Sequence, residues 1–169
     1  METSVPNADF YRRLYEEIGT ETPLRFDCGR LCSHACCAVT PDLPGMYLFP
    51  GEEALYEGVP GFSVTPSTLA GYGPVALLSC NGACDRERRP LACRIFPLAA
   101  RATADGLRLR MDRRGFGLCP LCAEGKAGLC EPFVTAVERA LQALWREPEG
   151  ERFLRALSAQ LDAFERQGL

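Results

Sequence analysis

The sequence predicts an α+β fold: a small, irregular domain with short strands, a β-hairpin and several helices, closed by a C-terminal antiparallel helix pair. Three observations lead there. Apolar residues recur at helical spacing near both ends of the chain, a hairpin pattern lies at 98–112, and ten cysteines crowd the stretch between them. The length of 169 residues fits one domain over 1–169, with a core over 26–130 and the helical pair over 131–169. A hydrophobic fraction of 47% and a charged fraction of 24% describe an ordinary globular chain.

The first element is a helix over 8–18. Phe10, Leu14 and Ile18 recur every four residues, Asn7 or Asp9 can cap its start, and Gly19 can end it. Pro23 breaks the chain ahead of Cys28-Gly29-Arg30-Leu31-Cys32-Ser33-His34-Ala35-Cys36-Cys37, which packs four thiols and the only histidine into ten residues. A helix would put Cys28, Cys32 and Cys36 on one face, and a loop would let the same spacing wrap an ion. Both stay open.

Residues 38–74 are rich in Gly and Pro, with a short strand expected at Met46–Phe49 and a brief helix from Glu52 to Tyr56. Glu52 and Glu53 sit where a helix dipole favours negative charge, so they read as capping acids. The run 75–80, Val-Ala-Leu-Leu-Ser-Cys, suits a buried strand that delivers Cys80, with Asn81-Gly82 as the following turn. In the hairpin, Asp105-Gly106 is expected to make the turn. Leu107, Leu109 and Met111 alternate there with Arg108 and Arg110, which puts arginines on the solvent face. The last third is helical, with one stripe of Phe133, Val137, Leu141 and Leu144 opened by Pro132. A second stripe of Phe153, Leu157, Leu161 and Phe164 follows Pro148-Glu149-Gly150, which is expected to separate the two helices.

Cysteine is the compositional outlier, and compartment decides how it reads. The N-terminus lacks a basic segment followed by an apolar one, and the longest apolar run, 74–78, is far too short to span a bilayer. The expectation is a cytoplasmic protein with reduced thiols and no membrane contact. Thiols that repel one another once ionised then point to a cation among them, so the domain is expected to be organised by metal. The formal net charge of −3 hides an asymmetry: 1–57 holds ten acids and four bases, while 86–114 holds nine arginines and three acids. That basic block can bind phosphate or nucleic acid, or neutralise thiolates.

The other cysteines are Cys80, Cys84 and Cys93, then Cys119-Pro120-Leu121-Cys122, then Cys130. The run Phe-Asp-Cys-Gly-Arg-Leu-Cys-Ser-His-Ala-Cys-Cys at 26–37, followed by Arg89-Pro90 and Cys93-Arg94-Ile95-Phe96-Pro97, resembles the YkgJ-like cysteine-cluster family of zinc- or iron-chelating domains. The resemblance covers 26–98 and departs from the family in having three residues, rather than two, between the early cysteines. It implies Cys28, Cys32, Cys36, Cys37, Cys80, Cys84 and Cys93 as metal ligands. Cys119 is added from its Cys-Pro setting, because a loop thiolate beside proline can accept backbone N–H bonds. Eight thiols suit two tetrahedral zinc sites, or one iron–sulfur cubane with a further site. Cys122 and His34 are weaker ligand candidates, and Cys130 reads as a thiol at a helix start. Arg94 is expected to bond a thiolate or a backbone carbonyl, and Phe96-Pro97 to pack.

Three functions remain. The first is a metal-binding protein whose zinc is structural, since closed four-thiolate sites offer no open position for substrate. The second is an iron–sulfur protein in electron transfer or a methyltransferase-associated redox step, because one branch resembling this family is linked to flagellin lysine methylation. The third is a metal-stabilised adaptor for nucleic acid or protein, using 86–114. Nucleic acid is the weaker partner here, since no aromatics interleave the basic stretch. With one histidine, no Gly-x-Ser-x-Gly and no His-Glu-x-x-His, no catalytic residue is assigned, and whether the chain is an enzyme stays open.

Overall fold

The computed structural model describes residues 5–38, 45–82 and 84–166 and has an α+β architecture. Helix α1 (Ala8–Ile18) starts as its sequence asks: the Asn7 side chain accepts the Phe10 N–H at 3.0 Å. It ends where Gly19, at φ 54°, returns its N–H to the Tyr15 carbonyl at 2.8 Å. The buried face is Tyr11, Leu14 and Ile18, with Phe10 only partly covered. Tyr11 takes the central place because its hydroxyl reaches the Pro50 carbonyl at 2.8 Å, so even its polar end is satisfied inside.

The first cysteine segment is not one helix. A single turn, α2 (Gly29–Cys32), stops at Ser33 and His34, which both have left-handed backbone (φ 52° and 56°), and a 3-10 turn then covers Ala35–Cys37. A helix through Cys36 would have stacked the three thiols in a row; the break aims Cys36 and Cys37 differently from Cys28 and Cys32. Gly29 permits the reversal. A Cβ there would lie 2.1 Å from the His34 Nδ1, so the imidazole can fold back only over a glycine.

Two small antiparallel sheets follow. Strands β1 (Met46–Tyr47), β2 (Phe62–Leu69) and β3 (Gly73–Cys80) form the first, in the order β1-β3-β2. Strand β2 lies inside the stretch expected to be irregular. Its Ser, Thr and Pro content hides it, yet it is an edge strand, where Pro66 withholds no ladder donor and where exposed Ser63, Thr65 and Thr68 are natural. Its register sets Phe62 opposite Cys80 at the sheet's end. A 3-10 turn (Glu52–Leu55) replaces the expected brief helix.

Helix α3 (Leu91–Ile95) leads into the hairpin of β4 (Leu98–Thr103) and β5 (Gly106–Met111). Thr103 pairs with Gly106, so the two-residue turn is Ala104-Asp105, one position earlier than expected. Arg108 is exposed as predicted. Arg110 instead reaches Asp162 at 2.5 Å and the Ser158 carbonyl at 3.0 Å, tying the hairpin to the last helix.

After a short α4 (Leu121–Glu124) come α5 (Glu131–Trp145) and α6 (Pro148–Arg166). Pro148 belongs to α6 rather than to a separator: only Arg146 and Glu147 connect the helices, and proline's fixed φ suits a first turn. Gly150 lets them close, since a Cβ there would lie 2.1 Å from the Leu144 carbonyl oxygen. Phe133, Val137, Leu141, Leu144, Phe153, Leu154 and Leu161 are wholly buried, and the Phe49 ring packs 5.1 Å from that of Phe153. Phe164, at the end of the expected stripe, is exposed. Among the described residues, no helix is long and apolar enough to cross a membrane.

Candidate metal centre

All ten cysteines are unpaired thiols, and they gather between the N-terminal turns, the end of β3, α3 and the start of α4. Eight of them line two cavities that share a wall. One, of about 50 Å³, is lined by Cys28, Cys32, Cys36, Cys93 and Cys119; the other, of about 120 Å³, by Cys36, Cys37, Cys80, Cys84 and Cys93. Cys36 and Cys93 border both, but their surroundings separate them. The thiols whose charge bears on Cys93 are Cys84, Cys37 and Cys80; beyond its neighbour Cys37, those bearing on Cys36 are Cys32 and Cys28. By lining, Cys28, Cys32 and Cys119 belong to a first group and Cys37, Cys80 and Cys84 to a second, while the neighbouring charges set Cys36 nearer the first and Cys93 nearer the second.

Each group has its guanidinium. Arg86 lines the first cavity and holds Asp27 at 3.3 Å, while Arg89 lines both and its charge bears on Cys84. Arg94 takes the carbonyl half of its expectation. Its Nε donates to the Arg89 carbonyl at 2.7 Å, its terminal nitrogen to the Glu87 carbonyl at 2.5 Å, and its guanidinium lies 4.2 Å over the Tyr15 ring. The loop from Cys84 to Cys93 is thus fastened from inside. Other members of the basic block are also engaged: Arg88 with the Pro60 carbonyl at 2.8 Å, Arg113 with Glu165 at 2.9 Å, and Arg114 with buried Asp112 at 2.6 Å.

The weaker candidates line neither cavity, although the charge of Cys119 bears on Cys122. His34 is half-exposed, packed over Gly29, with Nε2 3.9 Å from Asp27. Cys122 is buried, its thiol directed at the Asp112 carbonyl at 3.9 Å, and burial pushes it up to about 12. Cys130 caps α5 and gives its N–H to the Pro23 carbonyl at 2.8 Å.

Glu52 is the residue that sequence reasoning placed in the wrong role. It is fully buried rather than a surface capping acid. Its Oε2 accepts the Phe49 N–H at 3.0 Å, and its Oε1 accepts the Leu91 N–H at 2.6 Å together with the Tyr15 hydroxyl. Burial raises its pKa, opposed by those three donors. The carboxylate thereby pins the start of α3, two residues before Cys93. No local pattern marks it, because the three donors come from three separated segments.

The thiols are electrostatically unlike. Burial pushes Cys93 up to about 12, and burial with the charge of Cys119 raises Cys28. Cys37 is lowered to about 6, first by the bond from the Cys36 thiol and then by the charge of Arg89. Cys36, the donor in that bond, is raised accordingly. In metal-free protein Cys37 is therefore the more readily ionised of the adjacent pair and should be alkylated by iodoacetamide before its more exposed neighbour Cys36. Peptide mapping by mass spectrometry reads this directly, and modification of Cys36 first would reverse the assignment.

The donor set suits a soft or borderline cation: free thiols in fours, each group beside a guanidinium. Among the described residues, no group of three or more His, Cys, Asp or Glu side chains is placed so that it could hold a metal ion. The thiols share cavities but no coordination point. No family model, no curated protein and no solved structure matches this chain.

Proposed function

We propose that this chain is a metal-binding protein in which eight thiolates hold two ions, zinc in preference to iron. Cys28, Cys32, Cys36 and Cys119 hold one ion, and Cys37, Cys80, Cys84 and Cys93 the other. The observation that carries the reading is that eight cysteines line two adjoining cavities: Cys28, Cys32 and Cys119 the smaller alone, Cys37, Cys80 and Cys84 the larger alone, and Cys36 and Cys93 both. Loading requires the sulfurs to turn inward between staggered side-chain rotamers, a small motion for residues with one side-chain torsion. The resemblance of 26–98 to the YkgJ-like family implies seven of these ligands, all but Cys119.

Bound in this way, zinc supplies cross-links rather than chemistry, because four thiolates leave no open position. The chain's own contribution is to bring four separated segments together and to neutralise thiolate charge with Arg86 and Arg89. A reducing compartment such as the cytoplasm is part of the proposal, since the ligands must stay thiols. The larger volume beside the second group, about 120 Å³, favours an iron–sulfur cluster there as the second reading. The adaptor reading has no comparable support, because Arg86, Arg88, Arg94, Arg110, Arg113 and Arg114 all have partners within the fold.

Elemental analysis with a visible spectrum, on protein purified without oxygen, tests this. Colourless protein with about two zinc ions per chain is the expected result. Brown protein containing iron and sulfide would move the second reading to first place. Protein without metal that takes up neither zinc nor iron would end both.

A further inference from the structure

Arg89 occupies a position that no other described arginine shares. It lines both thiol cavities, and its charge bears on Cys37, Cys84 and Cys93. Its Nε is buried and, among the described residues, has no hydrogen-bond partner, although a guanidinium offers five donors in a fixed plane. A buried donor without an acceptor is costly, so its acceptor is expected to arrive with some change at the site. Its backbone is not free to withdraw, because Arg94 Nε grips the Arg89 carbonyl at 2.7 Å. The two cavities it separates are those that would each acquire a net charge of −2 if four thiolates closed on a divalent ion. Two such charges across one wall repel, and a shared cation between them lowers that repulsion for both.

We propose that Arg89 is the common counter-charge of the two metal sites, lining both cavities while its Nε awaits a sulfur that swings inward when metal binds. The inference rests on the reading of two four-thiolate sites. Arg89 is a positioning residue: it acts on sulfurs, not metal. Its consequence is coupling, because removing one guanidinium loosens ions held by two different sets of ligands. Lysine is an incomplete substitute, since an ammonium supplies charge but not a planar fork.

The test is zinc release from the full chain to a chromophoric chelator, measured for the wild type, Arg89→Gln and Arg89→Lys. Exposed Arg101→Gln serves as a control. Arg89→Gln is expected to speed release from both sites by about tenfold, in line with the strength of a charge-assisted bond, with Arg89→Lys between it and the wild type. Cobalt(II) replacing zinc gives a second readout. In Arg89→Gln the thiolate-to-cobalt absorption bands should shift for both sites, which a merely structural loss of stability would not cause. Unchanged release, or faster release from one site alone, overturns the shared role while leaving two metal sites standing. A wild type that binds no metal defeats the underlying reading instead. Should Arg89→Gln not fold, an Arg89→Lys variant that releases both ions at the wild-type rate with unshifted cobalt bands overturns the proposal.

Discussion

Cys28→Ser and Cys93→Ser should each reduce bound metal from about two ions per chain to about one, and the double variant Cys28→Ser/Cys93→Ser should hold almost none. Cys28→Ser/Cys32→Ser should behave differently and retain about one ion, because both losses fall on the same group. The contrast follows from the proposed assignment of Cys28 and Cys32 to one ion and Cys93 to the other, not from the number of cysteines removed. A serine hydroxyl is a poor ligand at neutral pH, so a site of three thiolates loses most of its affinity. Binding free energy for a structural zinc is folding free energy, on the order of 10 kcal/mol at pH 7, so either single variant should also melt well below the wild type. Metal content by elemental analysis and thermal unfolding of the same samples check both claims. If Cys28→Ser/Cys93→Ser and Cys28→Ser/Cys32→Ser hold equal amounts of metal, the division into two groups is wrong.

The sign of the pH dependence follows from the same thiols. Burial raises Cys93 and Cys28, which favours the protonated thiol in the metal-free fold, so metal must compete with protons there. Affinity should therefore rise with pH through the thiol range and fall in acid.

Much of the frame can be read from local sequence, and the reasons for the exceptions are physical. Helices α1 and α5 are legible because capping and apolar spacing act over a few residues: Asn7, Gly19 and Pro132 do what their side chains dictate. Strand β2 is not legible, because what makes it a strand is its partner β3 rather than its own Ser-, Thr- and Pro-rich composition. The hairpin is evident from Leu107 and Leu109, yet its turn moves to Ala104-Asp105, where the register of Thr103 with Gly106 decides the loop. The eight thiols stand out by number and spacing, but their division does not. Cys119 joins Cys28 across most of the chain's length, and the two left-handed residues Ser33 and His34 separate Cys36 from the direction of a continuing helix.

Glu52 is the clearest case of a residue whose role is tertiary, and replacing it should cost more stability than any exposed acid. Glu52→Ala would leave two donors, the Phe49 and Leu91 amides, without an acceptor, and would leave the Tyr15 hydroxyl only that of Tyr56, 3.2 Å away. At about 1–3 kcal/mol for each unsatisfied group, partly offset by no longer burying a carboxylate, a loss of about 3 kcal/mol is expected. Glu52→Gln should lose less, because its carbonyl can still accept from Leu91 and Tyr15 while its amide faces the Phe49 N–H, donor against donor. Titration separates the two further. Burial raises the pKa of Glu52 in the fold, so its protonated form is favoured there, and that favourable contribution is complete below the unfolded carboxylate range. It is lost as pH rises through the folded value. The stability of the metal-free wild type relative to Glu52→Gln should accordingly decline from acid toward neutral pH, as read by urea unfolding at several pH values. An increase over that range would mean that the three donors, not burial, govern the carboxylate. The effect should also reach the metal. Without an anchor at the Leu91 amide the first turn of α3 loosens, and Cys93 with it, so Glu52→Ala should release the ion of the second group faster while leaving that held by Cys28, Cys32, Cys36 and Cys119 nearly untouched.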